Sequence, residues 1–381
     1  MTRFETRPKV LYLCDWLPPD FGSVGQYSLL FARQRAAAGA DVRLVGLTSG
    51  KESLVEEQTE AGRLKILRIP ARVYDRARLL ERAWWTARTN FRLIWRIRKA
   101  MGWADEIIFT GSPPFLVHLL TPLNQWFYHK RLIYHITDFH PECLMATLNP
   151  VPLPLRALYR LTLFWRRRVS AFEALGEDQR RRLQEIGIPA ERIVIRRYPP
   201  PVAFTGQETP LATPAALAGK RVLLYAGNWG VAHDVDTFCE GFRRYHAQGG
   251  GAFGLWLNAI GASADSVEQR LRAAGLPIHR SRPGPLAELA NLLVTPDAHL
   301  ITLRDEFVGF VLPSKVFACI ASGRPILYIG SRDSDLHLLC AQALAPSHYR
   351  QVAVGDPAGV VAALEHLATL AAGAQERRVS S

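Results

Sequence analysis

The chain has 381 residues, of which 48% are hydrophobic and 21% charged. That mixture excludes disorder except at the ends, and the length exceeds one ordinary core, so two domains of roughly 150 to 200 residues are expected. Its net charge of +13 is uneven: residues 1–200 hold 32 Lys and Arg against 19 Asp and Glu, and residues 201–381 hold 15 against 15, which points to one domain that meets an anionic surface and one that does not.

Five cysteines (Cys14, Cys143, Cys239, Cys319, Cys340) are scattered without a C-x-x-C pair or a metal-ligand spacing, as in reduced thiols of a cytosolic protein. Residues 1–8 lack the apolar run of a signal peptide, and no uncharged apolar window reaches the length of a membrane span. A chain neither exported by that route nor membrane-spanning is therefore expected.

Short apolar runs alternate with longer amphipathic stretches, the pattern of parallel sheets covered by helices. Strands are expected at residues 10–14, 42–47, 64–68, 106–110, 132–137, 169–174 and 193–197, and again at 222–226, 253–260, 299–302 and 326–329. The fold class is thus α/β, with two doubly wound, Rossmann-like domains. The expected division is a basic domain over 1–200, a proline-rich linker over 201–219, a second domain over 220–356, and a helix from 357 to 372 ending in a tail that frays from 375. Prolines at the density of 199–214 neither donate to a ladder nor continue a helix.

In chain order, the first candidate follows the first strand, where Gly22 and Gly25 would let the backbone approach a ligand at a strand's carboxyl end. A flexible loop is the plain alternative. Residues 76–103 predict one long helix with Leu80, Trp84, Ala87, Phe91 and Ile94 on a stripe. Arg88, Arg92, Arg96 and Lys99 lie beside that stripe, with Trp85, Trp95 and Trp103 as interfacial aromatics. Arg156, Arg160 and Arg166 to Arg168 add a second basic cluster. Such a helix can rest on anionic lipid, or merely cover its own sheet; no nucleic-acid motif accompanies the charge.

Further along, residues 132–142 place His135, Asp138, His140 and Glu142 at the end of a central strand, where burial would suit Asp138 or His135 to proton transfer. A metal is the competing reading, but neighbouring groups in an extended segment face opposite ways. Gly227, Asn228 and His233 follow the first strand of the second half, in a loop that makes room for a nucleotide, while Asp234 or Asp236 would be an ordinary helix cap. The stretch 297–330 says most: strand, a loop with Arg304 and Glu306, a helix opening on Pro313-Ser314-Lys315, then Gly323 and Pro325 to end it. It outlines a phosphate site.

These motifs together resemble the retaining GT-B glycosyltransferases, in particular the family-4 group that builds bacterial surface polysaccharides. The resemblance spans nearly the whole chain, from the Gly25 loop through Ser112-Pro113-Pro114, Asp138 to Glu142, Gly227 to Gly230 with His233-Asp234, to Pro313-Ser314-Lys315 and Ser322 to Pro325. It implies two domains facing across a cleft, a nucleotide-sugar bound by the second and a glycan or lipid-linked acceptor by the first. By the same likeness Lys315 and Arg304 would offset the diphosphate and Glu306 would contact the donor sugar, with no metal and no cofactor beyond the nucleotide-sugar substrate. The implied location is the cytoplasmic face of an anionic membrane. Two positions depart from the pattern: Ala318 stands where the ribose-contacting Glu is common, and the loop after Asn228 lacks a frequent Arg and Lys pair. A nucleotide-sugar epimerase of the same fold and a catalytically silent scaffold of a polysaccharide assembly complex are the alternatives.

Overall fold

The computed structural model describes residues 7–20, 22–72, 79–111 and 113–379. Positions 76–78 of the expected long helix, and Ser112, lie outside them. The chain divides into two compact units, Met1–Arg197 and Tyr198–Ser381.

Unit 1 runs β1 (Lys9–Trp16), α1 (Ser23–Ala37), β2 (Asp41–Thr48), β3 (Ser53–Gln58), β4 (Arg63–Pro70), α2 (Leu79–Trp103), β5 (Glu106–Thr110), α3 (Val117–Leu123), β6 (Arg131–Ile136), α4 (Glu142–Met145), α5 (Leu153–Arg166), β7 (Ala171–Ala174), α6 (Glu177–Glu185) and β8 (Ile193–Ile195). Its sheet has the order β3-β4-β2-β1-β5-β6-β7-β8, parallel except for β3. Val10 to Cys14 of β1 are buried on both faces, as a central parallel strand requires. The chain leaves β1 for β2 on one side and reaches β5 on the other, so the loops after β1 and β5 flank a topological switch point.

Unit 2 runs β9 (Arg221–Asn228), α7 (Asp236–Ala247), β10 (Phe253–Ile260), α8 (Ala262–Ala273), β11 (Ile278–Ser281), α9 (Leu289–Val294), β12 (Ala298–Thr302), α10 (Lys315–Ala321), β13 (Ile326–Ile329), α11 (Asp335–Ala343), β14 (Tyr349–Val352) and α12 (Pro357–Val379). All its strands are parallel, in the order β11-β10-β9-β12-β13-β14. That is the Rossmann order, with its switch point between β9 and β12. Residues 198–214 form neither helix nor strand. Their backbone is tied to unit 2, Thr209 N–H donating to Asn291 Oδ1 at 3.1 Å and Leu211 N–H to Thr295 Oγ1 at 2.8 Å. Helix α12 continues past 372 to Val379.

All the expected strands are present, with ends that differ by two residues or fewer. The stripe expected on the long helix is oriented the other way. Helix α2 buries Thr86, Thr89, Asn90, Leu93, Ile97 and Met101, one face at a 3.6-residue period. Trp84, Phe91 and Trp95 are 72%, 65% and 58% exposed. Among the described residues, no helix is long and apolar enough to cross a membrane.

Candidate functional sites at the two switch points

In unit 2, strand β9 closes on Gly227 and Asn228, and Gly227 has a φ of +115° that is strained for any side chain. A Cβ built there would lie 3.8 and 3.9 Å from Cε and Nζ of Lys315. The lysine amine therefore occupies the space beside the carboxyl end of β9. It sits 3.4 Å from the centroid of the Tyr225 ring, out of contact with solvent and without a hydrogen-bond partner. Its attraction to the ring is worth about 2 kcal/mol when desolvated, too little to offset burial of a full charge. Burial accordingly pushes Lys315 down to about 7, against a small upward pull from Cys319.

His233 completes the wall. Its Nδ1 meets the carbonyl of Thr302, an acceptor only, which fixes the proton on Nδ1 and leaves Nε2 as an acceptor. Burial first, then the neighbouring Lys315 charge, lower its pKa to about 3, so the ring is neutral. Tyr225 packs edge-on to it at 5.9 Å and stacks on the buried Trp229 at 3.9 Å. Asp234 lies one residue before Val235, the N-cap of α7, and its carboxylate accepts from Phe238 N–H at 3.2 Å and Thr237 Oγ1 at 3.0 Å.

Arg304 and Glu306 face each other. The guanidinium donates to Glu306 Oε1 at 3.2 Å, and both side chains are largely exposed. An exposed pair of this kind is weakly held, so either member is open to an incoming ligand. The Arg304 backbone N–H donates to Ala232 O at 2.9 Å, which fastens the loop after β12 to the loop after β9. Pro313 and Ser314 precede α10, whose Ser314 side chain makes no cap hydrogen bond. The helix ends at Gly323, at a φ of +67°. Asn228 is exposed at the mouth of the same loop. The structure thus brings Gly227, His233 and Lys315 together, with Arg304 and Glu306 on the adjoining loop.

Unit 1 treats its candidates less uniformly. A Cβ on Gly25 would fall 1.8 Å from the Trp16 carbonyl oxygen, so that glycine lets α1 pack under the end of β1. Its freedom is already used inside the protein and is not available to a ligand. Gly22 has an extended backbone and a looser surrounding, 3.6 Å from the same oxygen.

His135, a proton-transfer candidate by sequence, is 1% exposed, and its Nδ1 lies 3.1 Å from Glu173 Oε2. Glu173 also meets Arg35 at 3.2 Å and Arg196 at 2.8 Å. Burial opposes its charge, but the His135 contact and these two cations hold it down at about 2. The imidazole is thereby locked into an ion cluster between β6, β7 and α1. Asp138 is different, because burial alone lifts its carboxyl to about 6, within reach of protonation near neutral pH.

Several further residues have roles the sequence did not suggest. Arg166, expected on a basic surface, is fully buried. It clamps Glu142 through its two terminal guanidinium nitrogens, Nη1 and Nη2, and Nη2 also donates to His140 O at 2.8 Å, so Glu142 is held internally. On α2, Trp85 stacks on Trp16 at 6.1 Å and Trp103 lies 3.8 Å beneath Arg43; of the three aromatics expected at an interface, only Trp95 turns outward. Arg96 pairs with Glu52, whereas Arg88, Arg92 and Lys99 are exposed. Among the described residues no three His, Cys, Asp or Glu come together as metal ligands.

Two parallel doubly wound sheets in tandem, each with loops at a switch point, are the GT-B glycosyltransferase fold. The chain matches the E. coli trehalose-6-phosphate structure bound to UDP-2-fluoro glucose with a TM-score of 0.63 at 12% identity, over 95% of this chain and 91% of that one. It matches WaaG, a glycosyltransferase involved in lipopolysaccharide biosynthesis, with a TM-score of 0.60 at 15% identity, over 95% and 90%. In sequence it is 23% identical over 249 residues to a probable glycosyltransferase, WbjE, of Pseudomonas aeruginosa. That match spans 61% of this chain and 59% of the length of the relative. No family model matches.

Proposed function

We propose that this protein is a retaining glycosyltransferase that moves a sugar from a nucleoside diphosphate sugar to a glycan or lipid-linked acceptor, in the building of a surface polysaccharide. The observation that carries the reading is Lys315: a buried amine with no hydrogen-bond partner, aimed at the end of β9 where a glycine leaves room. A diphosphate at that point supplies the missing counter-charge. As the glycosidic bond loosens, negative charge grows on the departing diphosphate, and a fixed cation in a dry site stabilises it. Arg304, released from Glu306, adds a second cation, and Glu306 is then free for donor hydroxyls. The chemistry proceeds without a metal.

Asp138, with its raised pKa, is the group in unit 1 suited to the acceptor hydroxyl. The outward aromatics and unpaired arginines of α2 support a peripheral seat on the anionic inner face of a membrane. Incubating the protein with a panel of nucleoside diphosphate sugars and a lipid-extract acceptor, then reading the anomeric configuration by NMR, tests the reaction. Transfer with inversion, or isomerisation of the sugar without acceptor, would refute it. The scaffold reading keeps one observation in its favour: Ala318, 4% exposed, presents a methyl group where the resemblance gives a ribose-contacting carboxylate. Absence of binding to every nucleotide in the panel would remove the enzyme readings and leave it standing.

A further inference from the structure

A cavity of about 480 Å³ opens in unit 2 where the carboxyl ends of β13 and β14 meet the first turns of α12. Asp305, just after β12, lies on one side of it, and β14 on the other, two strand spacings or roughly 10 Å further along the sheet. It is therefore set apart from the mouth of β9, where Lys315 lies. Gly359, Ala362 and Ala363 fall on one face of α12 and, with Val352, make an apolar floor. The small residues are needed there: a Cβ on Gly359 would collide with the Asp356 carboxylate and press on Val352 Cγ1, 3.0 Å away.

Four charged side chains line this space, Asp305, Arg332, Arg350 and Asp356, and among the described residues none of them forms an ion pair. Arg350 is occupied by backbone, its Nη1 donating to the carbonyls of Pro346 at 2.6 Å and Tyr349 at 3.0 Å. Arg332 is braced through Nε alone, 2.8 Å from Gln351 Oε1, while the Gln351 amide donates to Gly330 O at 2.7 Å. Both terminal nitrogens of Arg332 are left over, a fork that fits a carboxylate. Asp356 spends Oδ1 on Gly359 N–H at 2.8 Å and keeps Oδ2. Burial, then the like charge of Glu306, raises the Asp305 carboxyl, so that corner gains from a cation. Arg332, Asp305 and Asp356 are all exposed, and a ligand reaches them directly from solvent.

A simple anion in this cavity would face two carboxylates. A metal ion would face a guanidinium, and no three acidic, His or Cys ligands gather among the described residues. A sugar would need partners for several hydroxyls, and the Gln351 amide is already spent. One anionic and one cationic group on an apolar body satisfy every wall. We propose that this cavity binds a free α-amino acid with an apolar side chain, its carboxylate on Arg332, its ammonium on Asp356 and Asp305, and its side chain on the floor made by α12. The proposal is independent of the transfer reading and survives its failure.

Calorimetric titration of the full chain with L-leucine, L-methionine and L-phenylalanine tests it. N-acetyl-leucine, which lacks the ammonium, and leucinamide, which lacks the carboxylate, are the comparisons. Saturable binding is expected for at least one of the three amino acids, about fivefold or more weaker for both analogues, and weakened as much by Arg332→Gln and by Asp356→Asn. Asparagine still caps a helix, so the start of α12 is kept in the second variant. No saturable binding by any of the three, an analogue that binds as tightly as leucine, or native affinity in both variants would overturn the proposal. The analogue comparison uses the native protein and decides the matter even where a substitution unfolds unit 2.

Discussion

Titrating pH changes one charge at the centre of the unit 2 site, and the consequence can be worked through. In the free protein Lys315 has a pKa of about 7 instead of the usual 10.5, so at pH 9 only on the order of 1% of molecules carry the charge. A phosphate about 4 Å away interacts with it by roughly 4 kcal/mol at an effective dielectric of 20. That energy equals about three pKa units, which returns the bound lysine to the region of 10. Binding a nucleotide-sugar at pH 8.5 therefore takes up ~1 proton, and affinity falls about tenfold per pH unit between 7 and 9. A nucleotide-sugar is the right probe because its diphosphate has no monoester to titrate near pH 6, as a free phosphate does. Calorimetry in buffers of different ionisation enthalpy reads the proton directly. The linkage to folding has its own sign: between about 7 and 10.5 the unfolded chain binds the extra proton, so the contribution of Lys315 to stability becomes less unfavourable as pH rises through that window. Buffer-independent heats together with an affinity that is flat from pH 7 to 9 would refute the assignment of Lys315 to the diphosphate.

Other consequences follow from packing and surface. Gly25→Ala places a methyl group against the Trp16 carbonyl and should destabilise unit 1 by about 1–3 kcal/mol, read by chemical denaturation; an unchanged midpoint would mean that α1 is not packed there. Glu142→Ala strands the buried Arg166 charge and should cost about 3–5 kcal/mol, whereas replacing both by apolar residues of similar volume should recover most of it. Phe91→Ser with Trp95→Ser removes outward aromatics without touching Arg88 or Arg92. It should reduce sedimentation with anionic vesicles about tenfold or more; unchanged sedimentation would return α2 to an ordinary covering helix.

Most strands that the sequence pattern revealed lie inside a sheet, where burial on both faces demands continuous apolar runs; β8 is an edge, but Ile193, Val194 and Ile195 are all apolar and so were read as strand too. The three it did not reveal, β3, β11 and β14, are all sheet edges. Edge strands carry polar and charged residues, here Glu56 and Glu57 in β3 and Arg350 and Gln351 in β14, and so read as loop. In unit 2 the glycine at the end of β9 and the lysine opening α10 could each be read locally, but they belong to different βαβ units and nothing in the sequence showed that they meet. The aromatic floor beneath them, Tyr225, could not be read, since an inward residue of a strand carries no local sign of what lies above it. The surroundings of His135 and Arg166 were hidden for the same reason: their partners, Glu173 and Glu142, are 38 and 24 residues away, and no local pattern shows a contact that distant. On α2, aromatics at helical spacing were indistinguishable from a core stripe until Thr86, Thr89 and Asn90 proved to be the buried side.

On the reading proposed here, the turn joining β12 to α10 grips a diphosphate through Lys315. Comparing nucleoside diphosphate with the matching nucleoside by calorimetry, for the native protein and for Lys315→Ala, tests it most directly. The diphosphate should lose affinity by tenfold or more, about 1.4 kcal/mol or greater, with the nucleoside unaffected. Equal losses for both, or none for either, would contradict it.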